Sequence, residues 1–132
     1  MLKKLVIGSA IAVSAITTVH ARSAEMYEPA RVTPVATSGQ PSKQKMRDAI
    51  IAAAKAKNWI VKHEKDGQLT LYYSRGKIET TIDVAYNDNS YQIKYVSSEN
   101  MNFSADENGK PHIHPKYNEW IKNLELGIAH EY

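Results

Sequence analysis

Ile78-Glu79-Thr80-Thr81-Ile82-Asp83-Val84-Ala85-Tyr86 places Ile78, Thr80, Ile82, Val84 and Tyr86 on one side of an extended chain. Glu79, Thr81 and Asp83 fall on the other. Successive strand side chains point to opposite faces, so this stretch reads as a strand with one face in a core and one in water. The neighbouring stretches repeat the pattern. Upstream, Trp59 to Glu64 and Leu69 to Ser74 flank Asp66-Gly67, a strong hairpin signal. Arg75-Gly76-Lys77 then turns the chain into 78–86. Downstream, Asn87-Asp88-Asn89-Ser90 turns it again into Tyr91, Ile93 and Tyr95, which alternate with Gln92 and Lys94. Links this short force antiparallel neighbours, so the four strands form a meander. Only one of its faces is apolar, as expected of an antiparallel sheet wet on one side.

Helical periods bracket the strands. Pro41-Ser42 opens the first helix with Ser42 as N-cap, and Met46, Ala49, Ile50, Ala53 and Ala54 form its apolar stripe. It should end near Lys57-Asn58, where Asn takes the left-handed cap. His114-Pro115 starts the last helix, with Tyr117, Trp120, Ile121, Leu124 and Ile128 in its stripe. Gly127 is expected to weaken or end it. The fold class is α+β: a two-layer, four-stranded antiparallel meander with an N-terminal and a C-terminal helix on one face, in the order α-β-β-β-β-α. Its core is expected around Trp59, Trp120, Ile82, Tyr95, Tyr117 and Leu124. Ser97 to Pro111 reads as irregular, with a turn at Asn108-Gly109.

The beginning of the chain has different physics. Lys3 and Lys4 precede an apolar run from Leu5 to Val19, and Val19-His20-Ala21 offers small residues where a signal peptidase cuts. Residues 1–21 therefore read as an export signal, too short and too rich in Ser and Thr for a membrane anchor. Residues 22–40, with Pro29, Pro34 and Gly39 and no apolar period, read as a flexible leader outside the core, leaving 41–132 as one small domain. The chain has no cysteine, so neither a disulfide nor a lipidated N-terminal Cys is available. A periplasmic location is expected, with secretion to the medium as the alternative and no stable membrane anchor after cleavage. The chain carries 17 Lys and Arg against 14 Asp and Glu; losing Lys3 and Lys4 leaves 15 against 14, which removes the main compositional support for nucleic-acid binding.

The stretch from Ile82 to Leu124 resembles a family of small exported proteobacterial proteins. The likeness rests on its Tyr-rich strands, Ser98-Glu99-Asn100, Ile113-His114, Tyr117-Asn118 and Trp120-Ile121-Lys122-Asn123-Leu124. Trp59 after the first helix fits it too. The resemblance implies the compartment and the fold and carries no activity.

Two constellations are candidates for chemistry. His112-x-His114 puts two imidazoles on one side of an extended segment, where Glu99, His63 or Glu119 would complete a metal site. The alternative is that His114 caps the helix and His112 is solvated. Ser97-Ser98-Glu99-Asn100 reads as a turn with no nucleophile elbow around its serines. Asn100 or Asn118 is expected to tie the loop to the helix start. Phosphate loops, dinucleotide fingerprints and H-E-x-x-H are missing from the sequence, so no cofactor is expected. Partner contact is expected instead, with an envelope protein or an anionic surface. The first helix offers Lys43, Lys55 and their basic neighbours, and the open sheet face offers Tyr72, Lys94, Lys62, Thr70 and Thr81. The leading expectation is a periplasmic, non-enzymatic binding protein. The alternative is a metal-binding protein or small hydrolase using the loop before the last helix.

Overall fold

The computed structural model describes residues 23–36 and 39–132; the expected export signal at 1–21 lies outside them. Strand β1 (Ala24–Glu25) is followed by helix α1 (Lys43–Ala56) and a run of four strands. These are β2 (Ile60–Lys65), β3 (Gln68–Arg75), β4 (Ile78–Tyr86) and β5 (Tyr91–Glu99). Two short strands, β6 (Ser104–Ala105) and β7 (Pro111–Ile113), precede helix α2 (Pro115–Glu131). Strands β2 to β5 pair in sequence order as an antiparallel meander with both helices packed on its apolar face, the α+β architecture the alternation implies.

Register explains why that face is continuous. Leu69 stands opposite Val84 and Leu71 opposite Ile82, while Ile82, Val84 and Tyr86 face Tyr95, Ile93 and Tyr91. All of these are buried except Tyr95, which packs half-buried against the core. Trp59, Trp120, Tyr117 and Leu124 close it from the helical side. Tyr73 links the two tryptophans, 5.4 Å from the Trp59 ring and edge-on to Trp120 at 4.4 Å. Arg47 of α1 also grips the carboxylate of Glu64 in β2, which holds the Glu64 pKa below its usual value.

Both caps behave as their residue types dictate. The Ser42 hydroxyl accepts from the Lys45 amide at 3.0 Å, and Asn58 takes the left-handed conformation after α1 (φ 67°). Gly127, however, does not end α2, which continues to Glu131. A Cβ at this position would lie 3.2 Å from Ala53 Cβ, so glycine here lets α2 approach α1 closely.

Two further expectations are corrected. Ser97 to Glu99 is strand rather than irregular chain, because a bulge opposite Thr81/Ile82 lets β5 run past Val96. Residues 23–36 are not a leader outside the core. Strand β1 pairs with β7, which also pairs with β6, forming a second three-stranded sheet. Met26 is buried in the main core, and Val32 exchanges two backbone hydrogen bonds with Tyr91 at 2.8 and 2.9 Å. The segment thus forms a strap. Its partners are distant in the sequence, which is why it carries no local period.

Candidate functional site

The strap and β5 together border an open cleft. Tyr91 directs both of its backbone groups to Val32. In an antiparallel strand alternate residues point the same way, so Ile93 and Tyr95 aim theirs toward the strap as well. The strap diverges there. The Tyr27 amide donates to Asn118 Oδ1 at 2.8 Å, Asn118 Nδ2 donates to the Glu25 carbonyl at 3.0 Å, and the Tyr27 hydroxyl donates to Glu125 Oε1 at 2.8 Å. Burial, followed by the Glu125 carboxylate, pushes the Tyr27 hydroxyl pKa up and keeps it a donor. With the strap held on α2, a groove of about 690 Å³ opens between residues 26–30 and 92–95.

Its walls follow from the local sequence. Four consecutive residues of β5 line it, so it runs along the strand's edge and not across a face. Phe103 stacks on Tyr95 at 4.4 Å with planes 15° apart and stays 46% exposed at the rim. Tyr117 meets Tyr95 edge-on at 5.8 Å. The β6–β7 hairpin closes one end. Asp106 organises that hairpin, its carboxylate accepting from the Lys110 amide at 2.9 Å and the Asn108 amide at 2.8 Å. Those bonds, Lys110 foremost, together with His112, hold the Asp106 carboxyl below its usual range.

The nominated metal ligands are not brought together. His112 Nε2 lies 3.2 Å from Asp106 Oδ2, and His114 Nδ1 accepts from the Lys116 amide at 3.1 Å as the N-cap of α2. Glu99 stands opposite Glu79 on β5, and His63 opposite Thr70 on β2. Among the described residues no three His, Asp or Glu side chains cluster as a metal site. Ser98 Oγ is 2.8 Å from the Tyr95 hydroxyl, and Thr80 donates to the Ser97 carbonyl at 3.2 Å. Asn100 donates to the Lys77 carbonyl at 2.9 Å, tying down the β3–β4 turn and not the helix start.

The four nominated contact residues do not form one surface. Lys43 pairs with Asp66 at 2.8 Å, and Lys55 is exposed near the end of α1. The Tyr72 hydroxyl donates to Glu79 at 2.6 Å on the open face, with Lys62 Nζ 4.9 Å from its ring centroid. Only Lys94 lines the groove. Sequence reasoning missed Tyr27, Phe103 and the β5 edge. The signal available was Tyr27 and Met26 standing amid a polar leader, which alone has no periodic partner.

Among the described residues no helix is long and apolar enough to cross a membrane, which says nothing of a β-barrel. The geometry defines a small α+β protein with an aromatic groove along an open strand edge. No protein-family model matches the chain, and no curated protein or solved structure matches it either.

Proposed function

We propose that this chain is an exported, non-enzymatic envelope protein that binds an extended segment of a partner protein along β5. The observation that carries the reading is the pairing of an open strand edge with an aromatic groove of about 690 Å³. Outward backbone groups at every second residue are matched by another extended backbone, as in strand addition. At about 3.3 Å per residue, four strand residues accommodate a peptide stretch of similar length. Its alternate side chains would meet Tyr95, Phe103 and Tyr117, which favours apolar or aromatic residues there. Lys94 and Glu28 on the walls set polar contacts beside them.

Export to the periplasm is supported by Lys3 and Lys4, the apolar run after them and the small residues at Val19 and Ala21. The likeness of residues 82–124 to small exported proteobacterial proteins points the same way.

In-cell photo-crosslinking tests the reading. A photoreactive phenylalanine at Phe103 is expected to yield a discrete adduct, with none from Tyr72 or Lys55. Peptides from the captured protein should then protect the Ile93 and Tyr95 amides from hydrogen exchange. Adducts confined to Tyr72 or Lys55, or unprotected amides at saturating peptide, would refute strand addition at β5.

A further inference from the structure

We infer that a second cleft, formed by the end of α1, the end of β3 and the first turns of α2, binds a phosphate group. Lys57, Arg75 and Lys116 converge on it from three distant parts of the chain, and it shares no lining residue with the β5 groove. Its volume is about 210 Å³, below the roughly 300–1,000 Å³ of sites for drug-sized molecules. That size suits one anionic group, either alone or at the end of a larger molecule.

Charge is the reason to expect an occupant. Glu119 is the only carboxylate lining the cleft, 3.5 Å from Lys116 Nζ. Lys57 and Arg75 have no ion pair among the described residues, whereas Lys43, Arg47 and Lys110 each face a carboxylate. Three cations against one anion leave two positive charges around one cleft, a repulsion that a dianion relieves. The ring cluster of Trp59, Tyr73 and Trp120 forms one wall. Phosphate monoesters carry about −1.5 to −2 charges at neutral pH, and an Arg fork matches their oxygens in a bidentate way. The side-chain amides of Asn58 and Asn123, also in the lining, supply further donors. Two sources share this chemistry: a phosphorylated solute and a lipid headgroup that ends in a phosphate monoester.

Both tryptophans of the chain line the cleft, so tryptophan emission reports occupancy. The purified protein is titrated with inorganic phosphate at ionic strength held constant with sodium chloride, and separately with vesicles of phosphatidylcholine with or without phosphatidic acid, whose headgroup is a phosphate monoester. A saturable change is expected, weakened roughly tenfold or more by Arg75→Gln and unaffected by Lys65→Gln, an exposed lysine that lines neither cleft. Arg75 is exposed, and equal thermal midpoints verify that its variant is folded; Lys116→Gln repeats the test from another element. Saturation by free phosphate assigns a soluble ligand. Saturation only by vesicles containing phosphatidic acid, lost in Arg75→Gln, assigns a headgroup. No saturable response to either probe, or an Arg75→Gln response equal to wild type, overturns the site.

Discussion

Trp59 and Trp120 sit at the junction of both layers, 4% and 7% exposed, with Tyr73 between them. Truncating either to Ala removes a ring and leaves a cavity, at a cost of about 3–5 kcal/mol. Urea unfolding should show the loss as a lower midpoint, and a shift under about 1 kcal/mol would contradict their burial. Gly127 gives a second test at this scale. Alanine there gains helix propensity but meets Ala53 at 3.2 Å, so Gly127→Ala should yield less than the usual gain of about 0.5–1 kcal/mol. Gly127→Val adds branches at the same contact and should cost about 1–3 kcal/mol by the same measurement. Asp106 carries a pH signature. Its folded pKa is depressed, so the hairpin's contribution is present above the ordinary carboxylate range and is lost as pH falls through the folded value. Asp106→Asn should lower the neutral plateau by about the amount the wild type loses on acidification through this group, leaving a flatter acid side.

Among the elements, the strap and β5 depend on each other. Asn118 makes two hydrogen bonds to the strap, at 2.8 and 3.0 Å, while Val32 makes two to Tyr91. Asn118→Ala should cost about 1–3 kcal/mol in total and, more tellingly, should speed amide exchange at residues 24–27 ahead of the sheet. Exchange that is uniform across the molecule would mean that the strap does not open independently. In the free protein the Gln92 and Lys94 amides, directed at β4, should exchange slowly. Those of Ile93 and Tyr95, directed at the groove, should exchange fast. This contrast tests the open edge without any ligand.

For the whole molecule, stability rests on a two-layer core without a disulfide. Tyr91 and Tyr117 are nearly fully buried within it, and burial pushes both hydroxyl pKa values well above the usual 10. The folded state therefore holds these protons more tightly than the unfolded chain. That contribution is complete below about pH 10 and is lost as pH rises through the folded values. Urea midpoints should fall on the alkaline side in step with phenolate absorbance, and Tyr91→Phe should flatten that fall. A stability profile level through the alkaline range would show that these hydroxyls titrate as exposed ones do.

Local period was enough to read most of this architecture. Alternation over Ile78–Tyr86, the Asp66-Gly67 turn and the two helical stripes depend on neighbours within a few residues, and each reappears in place. The N-cap roles of Ser42 and His114 were legible for the same reason. What the order of residues alone left open were contacts between distant segments. Met26 entering the core, Glu25 facing His112, and Lys57 meeting Arg75 and Lys116 join positions with no shared repeat. The candidate sites lie at those junctions. A groove or a charge cluster is made by chain segments closing on one another, and only the folded chain sets that closure.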